Sequence, residues 1–161
     1  MKIKHPVVHG HPLHAMASDL PVALIPFALL VSLALGRRGA GMATQAAAAS
    51  AFGAVFLGWW DWLTIPHDHP AWRTATLHGL INTTVLGAVV LAVGSRERRA
   101  VALGAATAAL GVSAWLGGDL VYRLGWRVRP AEELELIEQG NTPEAARRIV
   151  DDHERKDTLL A

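Results

Sequence analysis

The sequence contains no cysteine among its 161 residues. Disulfides, thiolate-held iron–sulfur clusters, Cys-ligated zinc and covalently attached c-type haem are thereby excluded within this chain. Charge is scarce as well. Asp, Glu, Lys and Arg make up 18% of the residues, against about 25% in a soluble domain. Apolar residues reach 52%, so the deficit of charge points to the membrane. There is no nucleophile elbow around Ser18, Ser32, Ser50, Ser95 or Ser113, and no glycine-rich phosphate loop after a strand. Hydrolytic chemistry therefore has little support.

The net charge of +1 conceals an asymmetry. Residues 1–129 hold 11 Lys/Arg against 5 Asp/Glu, a net +6, and residues 130–161 hold 4 against 9, a net −5. The break at Arg129-Pro130 divides the chain into a membrane part, 1–129, and an acidic tail, 130–161. Within the tail, Thr142 before Pro143 reads as a helix start, a capping hydroxyl followed by proline at the first helical position. The tail is expected to be short, helical and amphipathic; its bland role is a solvated surface, and the alternative is a docking surface for a partner.

A window of about 19 residues finds four apolar segments, at about 12–35, 44–63, 74–94 and 100–120. Twenty residues at 1.5 Å each reach about 30 Å, the thickness of a bilayer core. The short connections GRRGAGMA, TIPHDHPAWR and SRERRA make neighbouring spans antiparallel. The expected fold is all-α, an integral membrane up-and-down four-helix bundle followed by the helical tail. Pro26 is expected to kink the first span, which lipid tolerates. His5 to Asp19 interrupt any basic start before the apolar run, so the sequence does not read as a cleaved signal peptide.

Orientation rests on the arginines. One side carries Arg37, Arg38, Arg96, Arg98 and Arg99; the other carries Lys2, Lys4, Arg73, Arg123, Arg127 and Arg129. The totals nearly balance, but the compact clusters in short loops favour the first side as cytoplasmic. The chain is then expected in a bacterial inner membrane with both termini outside the cytoplasm. Basic residues split between two membrane faces do not make a nucleic-acid surface.

Counting rise from the arginine side places four unusual residues at one depth. His14 lies about 31 Å from Leu35, Asp61 about 26 Å from Thr44, His78 about 24 Å from Gly94 and Asp119 about 28 Å from Ala100. Each helix thus contributes one His or Asp to a slab near the outer edge of the hydrocarbon. Asn82 and Asp19 fall at or just below it; His11 and Arg123 fall just above. Trp59, Trp60, Trp62, Trp72, Tyr122 and Trp126 belong to the same end, as an interfacial belt does.

Ionisable groups at this depth are costly, so they pair or serve a function. Three accounts are open. In the first, His14 and His78 face each other across the bundle and clamp a haem iron, with Asn82, Asp61, Asp119 and Arg123 around it. In the second, His14, His78, Asp61 and Asp119 hold iron, manganese or zinc, with His11 added if Pro12 starts the helix. In the third, Asp61 or Asp119 pairs with Arg73 or Arg123, and the slab is a hydrogen-bonded plug without a cofactor. The loop pair His67 and His69 reads as exposed polar sequence, and His5, His9 and His153 carry no specific pattern.

Three stretches, GHPLHAMASDLP (10–21), the run from GWWDWLTIP to LHGLINT (58–83) and GGDLVYRLGWRV (117–128), resemble a bacterial membrane family, domain of unknown function 2231. The resemblance spans about residues 9 to 129 and leaves the acidic tail uncovered. It implies a four-helix membrane domain, sometimes joined to a Rieske-type iron–sulfur domain, and similarity to b-type cytochrome bundles. The family's leading histidines fall on His11 and His14, its third-helix histidine on His78 and its glycine pair on Gly117 and Gly118. Ala15 stands where proline often follows the second histidine, and Asp119 where many members carry histidine. The resulting expectation is a membrane b-type haem protein for electron transfer. It would contact lipid, could form an oligomer, and would serve a redox partner such as a Rieske-type or cytochrome protein. Whether it is an enzyme stays open.

Overall fold

In the bilayer every backbone N–H and C=O needs an internal partner, so apolar runs of this length become helices. The computed structural model describes residues 7–8, 11–126 and 128–160. Four long helices dominate it: α1 (Leu13–Gly39), α2 (Gly41–Trp62), α3 (Ala71–Gly94) and α4 (Arg99–Tyr122). All four are long and apolar enough to cross a membrane, α1 over Leu13–Gly36. Each packs against its chain neighbours, and α1 against α4 closes the ring, so α1 and α3 stand diagonally opposite.

The backbone break in α1 is not at proline. Pro21 and Pro26 both lie inside the helix, whereas the residue with non-helical dihedrals is Gly36, at φ 68° and ψ −167°. That region is open in practice only to glycine. The connection to α2 is shorter than the glycine-rich run suggested: α1 continues to Gly39 and α2 begins at Gly41. Between α3 and α4, Arg99 is buried rather than free in the loop, and its Nε donates to the Ala92 carbonyl at 3.1 Å. It thereby satisfies a carbonyl in the last turn of α3.

Small residues let the helices approach closely. Ala28, Ala47, Ala51, Ala92, Ala102 and Ala106 are buried together with Ile25, Val85, Val89, Leu103 and Leu110. This core fills the arginine-loop half of the bundle. Phe27, Leu30, Leu33, Phe56, Leu80, Val90, Val101 and Trp115 are exposed around the outside, where acyl chains would meet them.

The tail forms α5 (Arg129–Glu138) and α6 (Pro143–Asp157), packed on each other with Ala146 and Val150 buried. The reversal between them uses Gly140 at φ 96°. Thr142 caps α6, its hydroxyl accepting from Ala145 N at 3.2 Å. Three short strands sit at the ends of the chain: β1 (Val7–Val8) pairs antiparallel with β2 (His11–Pro12) and parallel with β3 (Thr158–Leu160).

Candidate functional site

His14 lies in the first turn of α1 and His78 two turns into α3. Because α1 and α3 are diagonal, their side chains meet on the bundle axis, with ring centroids 6.1 Å apart and planes at 76°. Each ring is pinned by a neighbouring helix. His14 Nδ1–H donates to the Ala54 carbonyl on α2 at 3.0 Å. His78 Nδ1–H donates to the Ser113 carbonyl on α4 at 2.9 Å. A Nδ1–H bonded to a backbone carbonyl fixes the tautomer and directs Nε2 toward a ligand, the usual support of a metal-binding imidazole.

Glycines make room for both rings. A Cβ at Gly58 would come within 2.8 Å of His14 Cε1, and one at Gly117 within 3.2 Å of His78 Cε1. His78 has further partners. Asn82 Nδ2, one turn along α3, donates to His78 Nε2 at 3.0 Å. Ser113 Oγ donates to Asn82 Oδ1 at 2.9 Å and lies 3.0 Å from His78 Nδ1. The three side chains close a hydrogen-bonded ring.

A cavity of about 640 Å³ opens beside the pair, along the α1–α4 seam, which is the least packed of the four. His14, His78, Asn82 and Asp61 line it, with Ser18 and Asp19 on the α1 side and Gly117 and Gly118 on the α4 side. Its size lies within the ~300–1,000 Å³ range of ligand pockets. Aromatic rings cover the loop side. Gly125, at φ 61°, turns the chain back after α4 so that Trp126 N donates to Leu120 O at 2.9 Å. Trp126 then lines the cavity and meets His69 at 4.7 Å between ring centroids. Trp59 and Trp62 are tied to α3 through Thr83 (3.0 Å) and Thr76 (2.8 Å). Trp59 meets Trp62 edge to face and Trp62 meets Trp72 at a tilt, with centroids 5.3 and 5.8 Å apart, so the group braces α2 against α3.

The other residues singled out in the sequence fall apart from the pair or at its margin. Asp61 stays with it, lining the cavity while Thr64 donates to its backbone carbonyl at 2.6 Å. Asp119 pairs with Arg123 one turn on, along the outside of α4. That contact raises the Arg123 guanidinium further above its ordinary value. Arg123 lines a separate cavity of about 900 Å³ between the bundle end and the tail. His11 does not share a helix face with His14. Pro12 is extended (φ −61°, ψ 121°), α1 starts at Leu13, and His11 belongs to β2 with its side chain outside the described set. His5, His9 and Arg127 lie outside the described residues. Among the described residues, no three His, Asp or Glu side chains are grouped to hold one metal ion. Ser113, Gly58 and the Ala54 carbonyl were not singled out as parts of this site; only the i, i+4 spacings Ala54/Gly58 and Ser113/Gly117 hint at them.

No curated protein and no solved structure matches the chain. The family described as predicted membrane protein, DUF2231, matches residues 10–130, from just before α1 to the start of α5. With three quarters of its length matched, the chain belongs to that family of membrane proteins.

Proposed function

We propose that the protein binds one b-type haem between His14 and His78 and transfers electrons at the membrane. The observation that carries this reading is the pair itself: two imidazoles 6.1 Å apart across the axis, each with Nδ1–H on a helix carbonyl. The adjoining cavity of about 640 Å³ supports room for a flat cofactor. His14 and His78 would hold the iron, and Asn82 and Asp61 would set the polarity around it. Bound haem supplies one-electron redox chemistry at a potential tuned by those neighbours. Trp126 and the Trp59–Trp62 group limit water from the loop side. The redox partner would be a Rieske-type or cytochrome protein.

The orientation that suits this role puts the histidine end and both termini outside the cytoplasm of a bacterial inner membrane, supported by the arginine clusters of the opposite loops. His14→Ala and His78→Ala are each expected to abolish haem retention while the bundle still inserts. Full haem occupancy in the double variant would overturn the ligand assignment.

A second reading has an observation of its own. The closed ring of His78, Asn82 and Ser113 satisfies these groups without a cofactor, as a polar plug in a structural subunit would. Elemental analysis separates the alternatives: iron at one per chain with haem bands supports the first reading, iron or zinc without them a non-haem centre, and neither metal the plug.

A further inference from the structure

The two halves of the α1–α4 seam differ. In the arginine-loop half, Ile25 and Ala28 of α1 and Leu103 and Ala106 of α4 are buried in one core, and the seam is shut. In the histidine half the helices turn two matching stripes to the cavity, Ala15, Ser18 and Val22 on α1 and Ala114, Gly117 and Val121 on α4. Side chains this small leave the space between the helices unfilled. Ala15, Val22, Ala114 and Val121 are at the same time exposed on the outer surface. The cavity they border runs inward to Val55 on α2 and to the buried Val85 on α3. It therefore joins the outside of the bundle to its axis.

That mouth lies between two membrane spans. Val22 is nine residues past the start of α1, and Leu110 is twelve before the end of α4. Helix rise converts these to depths of about 14 and 18 Å, within a hydrocarbon core about 30 Å thick. Acyl chains, not water, face the opening. The loop side is closed. Trp126, whose N–H is held by Leu120 O, lines both this cavity and the one against the tail, and stands between them.

We propose that the histidine half of the α1–α4 seam is a lateral entrance, through which the site takes its ligand directly from the bilayer. The lining sets the class of that ligand. Val22, Val55, Val85 and Leu110 make an apolar wall, and His14, His78 and Asn82 gather the hydrogen-bonding groups on the axis. The occupant is a largely apolar molecule with a polar edge, soluble in the membrane. Haem is one molecule of this class, but the entrance follows from the seam and the closed loop side alone. A ligand arriving from the hydrocarbon reaches the pair without crossing water and without parting the core of the other half.

The test uses the full chain in phosphatidylcholine vesicles and a small apolar aryl diazirine dissolved in the bilayer, with labelled positions read by mass spectrometry after photolysis. Label is expected at Val55 and Val85, inside the bundle, as well as at the outward-facing Phe27 and Leu80. Ala114→Phe covers the mouth from an exposed position outside the core, and is expected to lose the label at Val55 and Val85 while keeping it at Phe27 and Leu80. Ala15→Phe, on the opposite lip, carries the same test if Ala114→Phe fails to insert. Trp126→Ala should leave the bilayer-derived label in place. An unlabelled interior in wild type, or interior label undiminished by both lip variants, overturns the entrance. A second measurement separates this from the haem reading: the rate at which haem-free protein takes up haem from donor vesicles. Ala114→Phe should slow that uptake several-fold, and bound haem should protect Val55 and Val85 from label. Uptake at the wild-type rate in both lip variants overturns the entrance and spares the haem reading. A labelled interior in a wild type that takes up no haem supports the entrance and overturns the haem reading.

Discussion

A methyl group added at Gly58 would stand 2.8 Å from His14 Cε1, so the imidazole must shift to admit it. At Gly117 the corresponding distance to His78 is 3.2 Å, a contact that a small ring movement relieves. Gly58→Ala is therefore expected to turn His14 off the Ala54 carbonyl, with an overpacking cost of about 1–3 kcal/mol. Gly117→Ala should cost less. Thermal unfolding in detergent and the haem-to-protein ratio should both rank wild type above Gly117→Ala and Gly117→Ala above Gly58→Ala; the reverse order would contradict the packing described. At this scale the sequence was partly legible. His14 and His78 stood out because ionisable side chains are rare at membrane depth. Ser113, Gly58 and the Ala54 carbonyl did not, because contacts between residues 35 and 40 apart depend on helix phase, which a single apolar sequence leaves nearly unmarked. Asp119 and Arg123 are a pair at i, i+4. That spacing favours mutual pairing over service to a distant cofactor, and the sequence alone contained that signal.

The helices themselves were legible from apolar length, since hydrocarbon leaves the backbone few alternatives. Their ends were not, because caps and breaks depend on dihedrals. Gly36 at φ 68° and ψ −167° is the instance in α1, where the proline pattern pointed to Pro26. Gly36→Ala is expected to destabilise the protein by roughly 1–3 kcal/mol, the cost of forcing a side chain into that region. Gly41, at the start of α2, has nothing within 4 Å of an added Cβ and no positive φ. Gly41→Ala should be neutral or slightly stabilising, since alanine favours helix. Melting curves of the two variants check this, and equal loss at both would contradict the assigned break. Arg99 was read as one of three loop cations, but burial and its bond to Ala92 O make it part of the α3–α4 turn. Orientation then rests on Arg37, Arg38, Arg96 and Arg98.

Across the whole molecule the bundle divides into two halves. The arginine-loop half is an apolar core of alanine, valine, isoleucine and leucine; the other half carries the histidine pair, the cavity and the tryptophans. The absence of cysteine makes the direction of this division easy to measure. Single cysteines at Ser95, in the arginine loop, and at Asp68, in the loop between α2 and α3, can be labelled in intact cells with a membrane-impermeant maleimide. Label at Asp68→Cys but not at Ser95→Cys is expected, and the opposite pattern would invert the assigned topology. The haem reading turns on what sits between His14 and His78. Its most direct measurement is the reduced-minus-oxidised visible spectrum of the full chain, purified in mild detergent from haem-replete cells. Sharp b-type bands at about one haem per chain are expected; a featureless spectrum would contradict the haem reading and leave the pair as ligands of another metal or as polar packing.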